Sequence, residues 1–457
     1  MTTRSNAVPI TSPETTTDQG QLRRVLGVPS LVLFGLVYMV PLTVFTTYGI
    51  VTQITGGRLP TAYLITLVAM VFTARAYGQM VRAFPLAGSA YTYTQRSFGP
   101  SVGFLTGWSL MLDYLFLPMI NYVVIGIYLN AVFTSMPAWI FVLASILLVT
   151  VLNIVGITSV VRANVVIITM QAIFVVVFLG VAATSIGQGA SVDLLAPFVG
   201  DGTAPGFGPL AAGAAILCLS FLGFDSVSTL AEETRDPKKN LPRAIMIITL
   251  MAGAIFTGLA YVSHLVLPSH AFGSVDSAAL DVVTEAGGAF LSSLFIAAYI
   301  AGATGSALTS QASVSRILFA MGRDGVLPTR IFGRLSARFG TPVLSILAVS
   351  IVSLLALVID LGLLAEMISF GALIAFSAVN LSVIKHHFFG LKMRGGLHTL
   401  NYLIVPAIGV LLTLWLWTSL SERALTVGLI WLAVGFLYLL ALTRGFRRST
   451  PMLDLKE

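Results

Sequence analysis

Asp225 sits in the stretch SFLGFDSVSTLAEET (220–234), at the end of a long apolar segment, with no Lys or Arg within nine positions on either side. Asp113, in GWSLMLDYLFLPMIN (107–121), is likewise isolated, and Glu366 is a third acid inside an apolar run. A carboxylate near the centre of a membrane costs about 2.5–3.5 kcal/mol on insertion scales. Such a group must be protonated, hydrated or neutralised by something that enters. A small organic cation or a proton meets that need; the plainer alternative is a protonated acid hydrogen-bonded to backbone. Tyr114, next to Asp113, adds a hydroxyl and a π-face suited to an ammonium group, and it reads equally as a core aromatic. Glu366 lies early in its segment, where its carboxylate can reach the interface.

The segments that carry these acids contain weak points. Ser220 and Gly223 precede Asp225, and glycine weakens a helix interior. The first apolar segment has a matching feature in YMVPLTVFTTYG (38–49), where Pro41 removes a backbone hydrogen bond and Thr43, Thr46, Thr47 and Gly49 follow. Broken backbone at membrane depth persists only where it lines a cavity or is buried in protein. A proline-kinked but continuous helix is the alternative for the first segment. The two weak points lie five segments apart, the arrangement of paired discontinuous helices in inverted-repeat transporters. The halves share no convincing residue-level identity, so the repeat rests on position alone.

Composition sets the frame for these elements. Of 457 residues, 57% are hydrophobic and 9% charged, whereas soluble proteins are about a quarter charged. A span needs about 20 mostly apolar residues. Twelve such segments begin near Pro29, Thr61, Phe98, Ala138, Asn164, Pro209, Ala244, Gly288, Pro342, Leu361, Tyr402 and Ala424. The expected organisation is a polar tail over 1–28 with no apolar core of a signal peptide, a transmembrane domain over 29–444, and a second tail over 445–457. With the N-terminus inside, only Arg58 and Arg423 of the 25 Lys and Arg fall on the outer side. That asymmetry places both termini in the cytoplasm, favours an even span count, and accounts for the net charge of +7 without nucleic acid. Outer-side acids (Asp193, Asp201, Asp276, Asp281, Glu285, Asp360 and Glu422) make that face net negative, which concentrates cations or simply solvates the loops.

Other motifs carry less. GPSVG (99–103) matches a serine-hydrolase pattern, but it opens a membrane helix with no preceding strand. Gly99, Gly103 and Gly107 read better as a helix-packing face. The histidines lack metal spacing, the single cysteine, Cys218, excludes an internal disulfide, and no phosphate-binding loop is present. No cofactor, metal or enzymatic constellation is expected.

FPLAGSAYTY (84–93), GFDSVSTLAEETRDPKKNLPRAI (223–245) and SRILFAMGRDGVLP (315–328) resemble the amino acid–polyamine–organocation transporter superfamily, over about Val28 to Arg444. GWSLMLDYLFLPMIN and FGALIAFSAVNLSVI (370–384) look like its bacterial putrescine importers. The resemblance implies an all-α polytopic fold of twelve transmembrane helices, a leucine-transporter-type 5+5 inverted repeat plus two C-terminal helices. It further implies substrate bound between broken first and sixth helices, at Pro41, Leu42, Thr43 and Val44 and at Ser220, Gly223, Phe224 and Asp225. Asp225 matches the acidic position that faces basic substrates, and Asp113 and Tyr114 match the third-helix pair of the putrescine importers. Sodium-coupled members place ligands on the eighth helix, where Thr309, Ser310 and Ser313 are too generic to establish a site. Gln171 stands near the fifth-helix lysine of some proton-coupled members. Thr46 stands where the putrescine importers carry aspartate, which opens the substrate to monoamines and amino acids.

The reading is a secondary importer of a small, putrescine- or polyamine-like amine in the cell membrane, driven by protons or, alternatively, sodium. An amino acid permease is the alternative in the same superfamily, and a passive organic-cation channel the alternative of another class. Membrane lipid is the only other expected partner.

Overall fold

The computed structural model describes residues 24–86, 89–156, 160–188, 193–200, 206–323 and 325–447. Most of the two expected tails, Asp201 and the side chain of Arg162 lie outside the described residues. The described chain is helical. In order, the α-helices are α1 (Val28–Met39), α2 (Tyr48–Thr55), α3 (Leu59–Ala83), α4 (Ser89–Phe98), α5 (Pro100–Val132), α6 (Ala138–Val155), α7 (Val160–Gln188), α8 (Ala196–Val199) and α9 (Phe207–Ile216). Then follow α10 (Pro237–Val266), α11 (Ala278–Arg323), α12 (Thr329–Phe332), α13 (Val343–Ser353), α14 (Leu361–Val383), α15 (Gly396–Thr399), α16 (Val405–Thr418) and α17 (Glu422–Leu442).

Eleven helical segments among the described residues are long and apolar enough to cross a membrane. The segment expected from Pro342 is shorter: α13 and a 3₁₀ turn together cover only Val343–Leu357. It is tied to its neighbours by a polar cluster. Gln311 of α11 donates to Ser350 (2.7 Å), Thr150 of α6 meets Ser350 (2.6 Å), and Asn153 donates to Gln311 (2.8 Å). In an apolar interior, mutual satisfaction of these groups avoids a cost of about 1–3 kcal/mol for each one left unpaired. The segment expected from Gly288 begins ten residues earlier, at Ala278, and Gly287 and Gly288 kink it with non-helical backbone.

The first span is interrupted. α1 ends at Met39, Val40 adopts φ 52° and ψ 98°, and Pro41–Phe45 forms a 3₁₀ turn before α2 resumes at Tyr48. Pro41 explains the break: its ring disfavours helical backbone at the preceding residue and it lacks an N–H. Positive φ is a strained conformation for a β-branched side chain. The Thr43 hydroxyl, with its one proton, is placed to donate to the carbonyl of Val40 (2.7 Å) or of Met39 (2.8 Å) at the break. The sixth span is interrupted too. α9 runs into a 3₁₀ turn at Leu217–Phe221, Leu222 is extended, Gly223 takes φ 135°, and a further 3₁₀ turn covers Ser226–Leu230.

Around these segments α10 packs along α3, and α5 packs against both α11 and α14. Gly371 lets α14 approach α5 closely: a β-carbon there would lie 2.5 Å from the Ser109 carbonyl oxygen. The glycines at the start of α5 divide by role. Gly103 and Gly107 accept Gln95 and Tyr91 of α4, as a packing face requires, whereas a β-carbon at Gly99 would meet nothing within 4 Å, and that residue caps α5 with φ 99°.

Candidate functional site

The two interruptions meet. A β-carbon on Gly223 would lie 2.8 Å from Met39 Cγ, 3.0 Å from Tyr38 Cδ1 and 3.2 Å from the Met39 amide nitrogen. Only glycine permits that approach at that φ. Beside the junction is a cavity of about 50 Å³ between the two broken segments, α5 and α11. This is several times the roughly 10–15 Å³ needed by one water. Its polar lining is neutral: Tyr38, Thr43, Thr46, Asn121, Tyr299 and Ser306. Thr46 and Tyr299 are joined hydroxyl to hydroxyl at 2.5 Å, and Asn121 donates to Ser306 (3.0 Å) and to the Leu117 carbonyl (2.8 Å).

Tyr38, which lines the cavity, is an electrostatic neighbour of Asp113, Tyr114 and Asp225. Asp113 is 7% exposed and Asp225 9%. Asp225 Oδ1 accepts the Gly223 N–H at 3.1 Å, while Asp113 Oδ1 makes no hydrogen bond. The two acids act on each other, and both act on Tyr114. Tyr77 of α3 and Tyr93 of α4 also border Asp225. Four tyrosines and Asp113 are thus electrostatic neighbours of Asp225, and among the described residues no lysine or arginine is paired to either acid. Such surroundings suit a cation with N–H donors.

The expected residues scatter around this arrangement. Of them, only Thr43 lines the cavity. Pro41 makes the break, while Leu42 and Val44 are fully buried in the core. Ser220 faces Tyr63, 3.1 Å away. Phe224 packs edge-on to Tyr77 and against Phe376 of α14. Glu366 stands apart from the acid pair: it accepts a hydrogen bond from Ser421, which also caps α17. Thr309, Ser310 and Ser313 donate to carbonyls of their own helix. Gln171 fills the space left by Gly302 of α11, and a β-carbon placed at Gly302 would also lie 3.8 Å from Val40.

Tyr38, Tyr77, Tyr93, Asn121 and Tyr299 were not expected. Asn121 did carry a signal, as an amide eight residues after Asp113 in an apolar helix. Asp276, in the α10–α11 connection, is exposed, yet its carboxyl is held above its usual value, first by partial desolvation and then by the Asp360 carboxylate.

The amino acid permease family pattern matches residues 30–445, nearly the whole chain. The chain belongs to the amino acid permease family. It is 40% identical over 445 residues to the low-affinity putrescine importer PlaP of Escherichia coli (strain K12), covering 96% of this chain and 98% of that protein. It is 26% identical over 452 residues to the branched-chain amino acid permease BcaP of Bacillus subtilis (strain 168), covering 93% and 94%. The methylthioribose transporter of Bacillus subtilis (strain 168) is 27% identical over 442 residues, covering 91% and 92%. As a permease of the amino acid–polyamine–organocation superfamily, the chain is a multi-pass membrane transporter and not an enzyme. Within the permease, the GFDSVSTLAEET stretch is the irregular segment that brings Asp225 to Tyr38.

Proposed function

We propose that this permease imports a small organic amine across the cell membrane, coupled to protons, with the substrate's ammonium group neutralising Asp225. One observation carries the reading: two buried carboxylates without basic partners are electrostatic neighbours of Tyr38, which lines a cavity where two broken helices meet. A buried unpaired charge is costly, and an entering cation offsets much of that cost. Asp113, with an oxygen that makes no hydrogen bond, is the group that exchanges the proton.

The proposal includes a transporter domain over 29–444 between two cytoplasmic tails. It takes twelve crossings, with Val343–Leu357 as the short ninth, arranged as a 5+5 inverted repeat followed by α16 and α17. The five-span separation of the two interruptions supports the repeat. The basic residues bordering the spans support the orientation. The similarity to a putrescine importer supports an amine.

The neutral lining around Thr46 and Tyr299 favours a second reading, an amino acid or monoamine rather than a diamine. Uptake of labelled putrescine into proteoliposomes, with unlabelled butylamine and leucine as competitors, separates these readings. The proton-coupled amine importer requires uptake that rises with an inward pH gradient and falls in the presence of butylamine. Uptake driven only by a sodium gradient would contradict the coupling, and competition by leucine alone would contradict the amine. Flux that neither saturates nor concentrates the label would indicate a channel.

A further inference from the structure

The cavity wall holds two polar pairs that differ in what they have left to give. Thr46 meets Tyr299 hydroxyl to hydroxyl, and Asn121 of α5 meets Ser306 of α11. Tyr299, Ala303 and Ser306 recur at helical spacing and all line the cavity, so they form one face of α11. At about 1.5 Å of rise per residue, the two pairs are separated by about 10 Å along that face. Asn121 keeps part of its surface open although Ile120 and Tyr122 on either side are buried, and Ser306 does the same beside buried Ala307.

Thr46 and Tyr299 largely satisfy each other. The second pair is open. The Asn121 amide has used both of its hydrogens, one on the Leu117 carbonyl and one on Ser306. Among the described residues its Oδ1 accepts no hydrogen bond, and the Ser306 hydroxyl, which accepts from the amide, has no acceptor for its own proton. The pair thus offers one acceptor and one donor, both neutral. A ligand hydroxyl answers both, because it gives one proton and can take another. An ammonium brings a charge and three donors to the same place, where no carboxylate lines the cavity among the described residues. Burying a charge without a partner costs more than burying a hydrogen-bonded hydroxyl.

We infer that Asn121 and Ser306 recognise a neutral hydroxyl at the far end of the substrate, so that the permease takes an amino alcohol in preference to a diamine. This rests on the amine-importer reading and names the substrate's second functional group. The apolar part of the lining, with Leu117, Ile120 and Leu222, suits the carbon chain that joins the two groups.

The test is calorimetric titration of the purified full-length protein with 4-amino-1-butanol, butylamine and putrescine. The three share a four-carbon amine and differ only at the other end. Wild type should bind 4-amino-1-butanol about tenfold more tightly than butylamine, the worth of two hydrogen bonds to the hydroxyl, and also more tightly than putrescine. Ser306→Ala should bring 4-amino-1-butanol and butylamine to within about threefold of each other by weakening the alcohol. Asn121→Asp puts a carboxylate at the same place and should reverse the order, with putrescine then binding about tenfold or more tightly than 4-amino-1-butanol. Residues that serve packing alone would weaken all three ligands together and leave their order unchanged. That result in both variants overturns the inference while the importer reading stands. So does a wild type that ranks 4-amino-1-butanol no better than butylamine or below putrescine. If wild type binds none of the three, the amine reading itself fails, and this inference with it.

Discussion

Gly223→Ala tests whether the two interruptions must touch. In the structure the added methyl would meet Met39 Cγ at 2.8 Å, Tyr38 Cδ1 at 3.0 Å and the Met39 backbone nitrogen at 3.2 Å. The two side chains can shift, but the backbone atom cannot turn aside without moving the end of α1. The residue also holds φ 135°, where a β-carbon costs about 1–3 kcal/mol. Strain and contact together come to about 2–4 kcal/mol. If substrate requires the junction as it stands, affinity falls by about 30-fold or more, at about 1.4 kcal/mol per tenfold. The assay is equilibrium binding of labelled putrescine to purified protein, beside thermal unfolding. Gly258→Ala is the control, because a β-carbon there meets nothing within 4 Å and lies in the interior of α10. It should be neutral or stabilise by up to about 1 kcal/mol. Equal binding by Gly223→Ala and wild type would refute the argument that the helix interruptions build the site.

Ser421→Ala removes both the α17 cap and the partner of Glu366, and should cost about 1–3 kcal/mol of stability while amine affinity stays within about twofold. Thermal unfolding and binding, measured together, check it. Tyr299→Phe breaks the hydrogen bond to Thr46 at the cavity wall, and should weaken binding by up to about tenfold without a comparable loss of stability. For Asp276, the folded pKa is raised, so the folded chain holds this proton more tightly than the unfolded chain. The resulting stabilisation is present at low pH and lost as pH rises through the carboxylate range. Asp276→Asn should therefore flatten the pH dependence of unfolding in acid and be more stable than wild type near neutrality. Identical pH profiles for the two proteins would remove Asp276 from that account.

Much of this arrangement was legible because its causes are local. Pro41 acts on its own neighbour Val40, and Gly223 marks a backbone turn that other residues resist, so both interruptions could be placed from short stretches. Asp113 and Asp225 stood out because their cost in lipid is independent of packing. Tyr77 and Tyr93 were hidden for the opposite reason. An aromatic in a membrane helix looks like core, and its nearness to Asp225 depends on where α3 and α4 lie. Tyr299 and Thr46 are 253 positions apart, so their contact has no sequence signature. Leu42, Val44 and Ser220 were drawn into the expected site by adjacency to the breaks, but a 3₁₀ turn directs successive side chains to different sides, and theirs face protein. The segment from Pro342 has a continuous apolar pattern, whereas its helical turns end at Leu357. Hydropathy reports composition and not where a helix stops.

The account's central claim is that Asp225 meets the positive charge of the substrate, and Asp225→Asn tests it most directly. The change keeps size and shape and removes the charge. Stranding one partner of a buried charge pair costs about 2–5 kcal/mol, so labelled putrescine should bind the purified variant about 30-fold or more weakly than wild type. Asp113→Asn retains a carbonyl oxygen that accepts an N–H, so its affinity should stay nearer wild type while the response of uptake to a pH gradient is lost. Binding by Asp225→Asn as tight as wild type would contradict the claim and leave Asp225 as a protonated group that serves helix packing.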